Sequence, residues 1–599
     1  MTRHLYRLSI AIRSPVMCQG LAPAGLGVDA SFIRDEQDRP ILPADHVKGL
    51  IRAALAHRRP DLVESLFGPR AKGAEAEMGE SNVPVRGRVF LSDLATDDCQ
   101  SPGYSTRIAI SATTGAAEPG MLQVCEMIAP PGKVLTFTGQ LVVYEASGVS
   151  PQGVSPESDK AALEEALGAI PAVGAFKSIG FGELAAKPEL SEQAPPARRM
   201  IGLDSERVAL EIAFDRPVLI DARRLADNVF TSSAIVPGAV VKGALAMSLG
   251  RQGHLAPALS RALSAIGISQ ALPLDVHGRA MMQTPPRSLI IAEGEEGMVV
   301  GCGLFTPLEG GALIGGEPGL FSNDWKPKGH RAAAAAMNWT PSRLDPTVQR
   351  TRVAVGEDGV AEDQMLFVHQ ALPCLHDDAT TKAGGKMVQR RWRLEVSRNG
   401  VPADAWSALL GALAEGLDGI GKTDARLSVV NASPTAAPDA PDPMNGPDGA
   451  ECWAVTLASP TLMIDPDESW DAAVQYQDYW NWALRRLGCD GRAVLTSWFT
   501  HERLHGGYEA MRRSLFGAGR YQPLLLTSPG SVFLLTGPPE LRNALRKALL
   551  HGLPARPPKA SGKDVLTWKD TVFVPENGYG EIAFHHEAHE RLRGEVTYV

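Results

Sequence analysis

The residues of this chain best suited to chemistry lie in a glycine-rich loop, GLGVDASFIRDE, where Asp29 is followed by apolar residues and then by Arg34 and Asp35. A carboxylate placed in this way can orient or activate a hydroxyl, or help to hold a divalent cation near a scissile phosphate. Taken alone, Asp29 also reads as an ordinary turn residue, because aspartate is favoured in loops for its local hydrogen bonds. The spacing recurs: Asp29-x-x-Phe32 and Asp227-x-x-Phe230 both stand shortly before a proline turn, with Asp221 a competing candidate in the second copy. GLDGIGKT, Gly416 to Thr423, carries the letters of a phosphate loop. Its context is reversed, because a helical pattern precedes it and the strand pattern ARLSVV follows, whereas a phosphate loop leaves a strand and opens a helix. The same glycines would instead let the backbone approach a phosphodiester closely, with Lys422 or Lys177 adding charge. FHHEAHE sets His585 and His589 four apart but lacks the His-Glu-x-x-His order, and reads as a surface tail of mixed charge. A Gly-x-Ser-x-Gly nucleophile elbow is absent.

The elements that must position these residues repeat along the chain. Three alternating apolar segments end in a proline turn, RLSIAIRSPVMC, VALEIAFDRPVLI and WAVTLASPTLMI, and each is predicted to be an opening strand. Downstream of the first two, ILPADHVKGLIRAAL and IVPGAVVKGALAMSL share a Pro-x-x-x-Val-Lys-Gly core at Pro43/Pro237, Lys48/Lys242 and Gly49/Gly243, predicted to open an amphipathic helix. Later, RIAISATTGAAEPGML and RVAVGEDGVAEDQML share Gly-x-Ala-Glu-x-x-Met-Leu. Each unit closes with a helix, a glycine loop and a strand, the loops being GAFKSIGFGEL, GLDGIGKTDARL and NGYGEIAF. The repeat, together with Pro-rich, polar stretches such as NASPTAAPDAPDPMNGPDGA, divides the chain into domains at 1–190, 203–432 and 451–599. The second carries an unassigned insertion at about 251–350.

Composition excludes several classes. The 599 residues are 44% hydrophobic, enough for ordinary cores in three or four domains. No run approaches the roughly 20 apolar residues that span a bilayer, so a cytoplasmic protein with no membrane association is expected. Seven scattered cysteines contain no C-x-x-C pair, which argues against a disulfide framework and a cysteine zinc site. With 59 basic and 68 acidic residues the net charge is −9, so any polyanion would be held in a locally basic groove. Basic residues do cluster at His46, Lys48, Arg52, His57, Arg58 and Arg59, and again at Arg390, Arg391 and Arg393, where a solvated helix face is the simpler account.

The order of opening strand, Asp loop, proline turn with Lys-Gly helix, Arg-Ile-Ala-Ile strand and late glycine loop resembles the RAMP superfamily of CRISPR-Cas proteins. GVDASFIRDEQDRPILPADHVKGLIR, the LFG at Leu66 to Gly68 and RGRVFLSDL resemble the Csm/Cmr backbone subunit of type III effectors over most of residues 1 to 190. Residues 203 to 599, through IVPGAVVKGALA, RVAVGEDGVAEDQMLF, SWFTHERLHGGY and PGSVFLL, resemble the larger Csx-type RAMP of subtype III-D more loosely. The resemblance implies an α+β fold of tandem modified ferredoxin-like, RNA-recognition-like domains. It implies a chain that holds guide RNA (crRNA), exposes it to a complementary target RNA and assembles with other CRISPR effector subunits. It also implies target cleavage at Asp29, with a divalent cation, Mg2+ foremost, assisting attack by the adjacent ribose hydroxyl. Asp227 matches only through the internal repeat. Lys48, Arg52, Arg107, Ser178, Gly180 and Gly182 fall on motifs that contact or shape the guide path, and Lys177, Lys242, Arg352, Gly421 and Lys422 join them through the repeat. Ala44 and Asp45 replace the usual glycine and serine, and no structural zinc is expected. Two alternatives stay open: a RAMP fusion that binds RNA without cutting, and a guide-processing ribonuclease using a histidine such as His46 or His501.

Overall fold

The computed structural model describes residues 3–20, 27–69, 87–99, 103–145, 156–194, 205–221, 223–226, 228–251, 255–275, 277–281, 284–294, 297–304, 348–355, 361–378, 386–446, 449–465, 468, 471–506, 523–591 and 597–598. Within them the chain is α+β, and three of its sheets follow one plan. In each, the opening strand lies between a later strand and the strand that closes the unit, all antiparallel. Arg3–Arg13 runs between Val134–Tyr144 and Glu189–Gln193. Arg207–Phe214 runs between Trp392–Ser397 and Ala425–Pro434, and Glu451–Leu457 between Val532–Thr536 and Ile582–Phe584.

Alternation explains the opening strand: Leu8, Ile10 and Ile12 are fully covered, while the residues between them stay partly exposed. The helix Ala44–Arg58 presents Val47, Ile51 and Leu55 at intervals of four, a single buried stripe against those strand residues. Its first N–H groups lack a local capping side chain. Asp93 supplies one from across the fold, accepting from the Ala44 N–H at 2.9 Å. Burial works against the charge on Asp93, but Arg350 at 2.8 Å and nearby Arg216 hold its carboxyl below the usual range. The substituted Ala44-Asp45 start is thus capped from elsewhere. The second core packs Leu210 and Ile212 on Val241, Leu245, Trp406 and Leu410; the third packs Val455 on Tyr476, Trp480, Leu541 and Leu545.

The two Gly-x-Ala-Glu segments are matched hairpins. Gly103–Ile110 pairs with Ala117–Met127, and Val348–Val355 with Ala361–Ala371. Ile108 faces Leu122 and Ile110 faces Ala117 in the first; Val353 faces Leu366 and Val355 faces Ala361 in the second, with the register irregularity at the same step. The repeated letters therefore encode a repeated pairing.

Other segments depart from expectation. The helix Pro257–Ala265, within the stretch expected as insertion, contributes Ala262 and Leu263 to the second core. Later in that stretch, Leu289–Gly294 and Gly297–Cys302 form a hairpin extended by Thr597–Tyr598. FHHEAHE is not a surface tail: the helix His586–Arg591 buries His586 and His589. His586 Nε2 accepts from the Ala454 N–H at 3.3 Å, which leaves Nδ1 to donate to the Asp442 carbonyl at 3.0 Å. His589 Nδ1 lies 3.3 Å from Cys302 Sγ. Mixed charge in the sequence hid a helix whose other side is covered by remote strands. In the phosphate-loop look-alike, Leu417–Ile420 and Ala425–Pro434 form a hairpin around the turn, so a strand and not a helix follows it. Among the described residues no helix is long and apolar enough to cross a membrane.

Candidate nucleic-acid interface

Asp29 is exposed and fastened to the base of the first hairpin. Its N–H donates to the Val124 carbonyl at 2.9 Å, and its Oδ2 accepts from the Val124 N–H at 2.7 Å. One carboxylate oxygen is thereby fixed by main chain. Glu126 holds the rest of the loop: it is buried, accepts from the Phe32 N–H at 2.7 Å and pairs with Arg34 at 2.5 Å. Sequence reasoning passed over Glu126, although a lone acid in the otherwise apolar run QVCEMIA was a signal that some buried donor required it.

The hairpin projects large apolar side chains into solvent, with Ile108 56% and Leu122 59% exposed, together with Tyr104, Ile110 and Met121. Arg107 lies partway along it, opposite Gln123 and 5.0 Å from the centre of the Phe176 ring. Burial raises the Cys125 thiol, and Arg107 and Asp29 both bear on it with opposite sign, so the two share one neighbourhood. Phe176 leads into a 3-10 turn, Lys177–Ile179, with Lys177, Ser178 and Gly180 exposed. Gly182, at φ +74°, is buried against the Val173 carbonyl, which a Cβ would meet at 1.8 Å. Asp29, Arg107 and the glycine loop thus belong to one end of the first unit. His46 does not act there as a base: its Nε2 accepts from the Gly174 N–H at 2.9 Å, and burial, with Lys177, pushes its imidazole down to about 4. His501 stands apart on the third unit, exposed, with Nδ1 3.2 Å from Ser528 Oγ.

The remaining cationic candidates converge on joints between units. Lys48 meets Asp424 at 3.3 Å and lies 5.4 Å from the Phe90 ring centre. Arg352 pairs with Asp45 and donates to the Lys422 carbonyl at 2.8 Å. Lys422 sits 4.0 Å over Phe230, where burial and then Arg352 lower its ammonium. Gly421, at φ +66°, lets that loop run against the Leu219 carbonyl, 2.4 Å from where a Cβ would stand. A cleft of about 220 Å³ between the first two units is lined by Asp45, Lys48, Gly49, Arg52, Phe67 and Asp424. Lys242 was expected on a nucleic-acid surface and is instead buried, donating to the carbonyls of Ser264, Ile266 and Glu576 at 3.1, 2.8 and 3.1 Å. All its donors are spent inside the protein.

Residues 13–185, which include this Asp loop, hairpin and glycine loop, match the family model of the RAMP superfamily. The first unit is a RAMP domain. No curated protein matches the chain. Solved structures that it resembles include the Type III-B Cmr-beta complex bound to cognate target RNA, at 18% identity and a TM-score of 0.22, covering 32% of this chain and 62% of that one. Another is the Type III-B Cmr-beta apo state, at 14% identity and a TM-score of 0.23, covering 32% of this chain and 96% of that one.

Aligning the second unit on the RAMP domain through the hairpins corrects the pairing of Asp29 with Asp227. Asp227 itself lies outside the described residues. Ala30 bridges Cys125 in parallel, and at the matching step Phe230 pairs with His369, so the register sets Val229 opposite Asp29. The Val368 N–H, counterpart of the one that holds Asp29, donates to the main-chain carbonyl of Asn228 at 2.9 Å. A carboxylate at that step has no counterpart in the second unit.

Proposed function

We propose that the chain is a guide-RNA-binding subunit of a type III CRISPR effector that cleaves complementary target RNA at Asp29. The observation that carries this reading is the exposed carboxylate, one oxygen fixed by the Val124 N–H, at the root of an apolar hairpin in a RAMP domain. Exposed aliphatic and aromatic side chains on a hairpin suit insertion between stacked bases, which would splay the strand beside Asp29. Arg107 and Arg52 supply charge toward the RNA backbone.

Among the described residues no group of three or more His, Cys, Asp or Glu side chains is arranged to hold a metal ion. Mg2+ commonly takes only one or two carboxylates and completes its shell with phosphate oxygens and water, so Asp29 together with the RNA fits such an ion. Bound there, it would neutralise charge on the phosphate. Asp29 accepts the proton of the ribose 2′-hydroxyl as that oxygen attacks the adjacent phosphorus. The bond to the 5′-oxygen breaks, that oxygen takes a proton from water, and a 2′,3′-cyclic phosphate remains.

The test is reconstitution of the full chain with guide RNA and Mg2+, followed by labelled complementary RNA. Wild type should cut at defined positions, leaving ends blocked by cyclic phosphate, while Asp29→Ala and Asp29→Asn retain guide and target but do not cut. Asp29→Asn keeps an acceptor for the Val124 N–H, so its loss would be chemical. Guide retention without cutting by wild type would leave a structural subunit.

A further inference from the structure

The glycine loops do something in the second and third units that they do not do in the first. Each is seated on the lysine-bearing helix of the unit before it. Lys48 of the helix Ala44–Arg58 meets Asp424 in the second unit's loop, and Lys242 of the helix Gly238–Arg251 donates to the Glu576 carbonyl in the third unit's loop. The lysine repeated in sequence is therefore a docking residue between consecutive units.

The loops of the first and third units have one conformation. The Arg13 N–H donates to Glu183 and the Gly182 N–H to Pro15; correspondingly, the Ala458 N–H donates to Glu581 and the Gly580 N–H to Pro460. This register matches the 3-10 turn Lys177–Ile179 to Pro575–Asn577, Gly180 at φ +89° to Gly578 at +81°, and Gly182 at +74° to Gly580 at +76°. Ser178 thus stands where Glu576 gives its carbonyl to Lys242.

The surroundings differ. A Cβ on Gly578 would meet Gln270 N and Ile268 O of the second unit at 2.7 Å, whereas one on Gly180 meets nothing within 4 Å. Asn577 is 6% exposed and its counterpart Ile179 is 48%. The first unit carries the shape of a seated loop with an apolar side chain facing solvent at its tip.

We propose that the 177–180 loop docks on another RAMP-type protein, by the surface that the second unit offers to the third. That surface is a helix opened by a Pro-x-x-x-Val-Lys-Gly core, whose lysine takes the Ser178 carbonyl. Ile179 is buried in the contact. A second copy of this chain is a poor occupant, since counting from the helix start puts the buried Tyr476 where the lysine should be on the third unit. The inference rests on the RAMP reading and moves Lys177, Ser178 and Gly180 from the RNA path to a protein joint.

The test places a photo-crosslinking amino acid at position 179 of the full chain, assembled with guide RNA and a purified RAMP-type subunit bearing the Lys-Gly helix. Crosslinked peptides and nucleotides are then identified. The expected product joins residue 179 to that helix, and Ile179→Asp should weaken subunit binding by about tenfold or more, as loss of a buried apolar contact at an interface does, with guide retention unchanged. Lysine-to-methionine substitution in the partner helix should do the same. A crosslink to RNA, to a second copy of the chain or to nothing would overturn the proposal. Loss of guide RNA from the unsubstituted assembly would instead count against the RNA-binding reading.

Discussion

Asp29 and Val229 occupy one step of two matched hairpins, yet only the first carries a carboxylate. That difference was invisible in the letters, where Asp227 offered a better-looking match three residues before a phenylalanine. Pairing register, not loop spacing, decides the counterpart, because the loop before the hairpin differs in length between units. Histidines give a second case at this scale. Burial drives the imidazoles of His46 and His585 down to about 4 and of His589 to about 3, His585 and His586 adding to the last. All three stay neutral when folded, while an unfolded chain protonates them near their usual value of about 6.5. The unfolded state therefore binds more protons as pH falls, and the stability these residues contribute is complete above about pH 6.5 and lost progressively toward pH 4. Urea midpoints should drop between pH 6.5 and 5, before most carboxylates titrate. A flat profile over that window would show that these rings are solvated.

At the scale of elements, periodicity and repeated motifs revealed the opening strands, the Lys-Gly helices and the hairpins. Short-range physics sets all of these: alternation for a half-covered strand, a stripe every fourth residue for a helix, and proline ahead of a first turn. The helix Pro257–Ala265 was missed because glycine-rich sequence around it weakened the pattern. The C-terminal helix was missed because its cover comes from strands hundreds of residues away. The first hairpin supports a prediction of its own. Ile108→Ser with Leu122→Ser removes apolar surface that is already in water, so thermal unfolding should shift by less than about 0.5 kcal/mol. Target binding and cutting should fall while guide binding holds. If cutting is unaffected, the hairpin is not the element that splays the strand.

For the whole molecule, the repeated lysine is used in unlike ways at the two joints. Lys48 and Asp424 are both partly exposed, and their pair should contribute below about 1 kcal/mol in a double-mutant cycle. Lys242 is buried among three carbonyls, and Lys242→Met leaves them without donors at a cost of about 2–4 kcal/mol. Proteolysis of the folded chain should report the contrast, with the third unit released early in Lys242→Met and the first two still joined in Lys48→Met. Equal behaviour of the two variants would mean that other contacts across the joints, such as Tyr144 with Asp418 and Arg350 with Asp93, hold the units in line rather than the lysines. The sequence showed that a lysine was kept but not what it met, since identity between copies carries no information about a partner supplied by the next copy.

Because both joints close within one chain, each unit meets its neighbour at an effective concentration that a short tether holds near the millimolar range, whatever the dilution. At that concentration the Lys48–Asp424 pair adds to firmer contacts between the first two units, Tyr144 donating to Asp418 at 2.7 Å and Arg350 pairing with Asp93 at 2.8 Å. The loop at 177–180 has no such tether to its proposed partner, so this end of the row would follow ordinary mass action. Diluting an assembled particle would shed whatever sits on Ile179 first and leave the linked row whole, giving the chain a fixed internal spacing and a concentration-sensitive boundary.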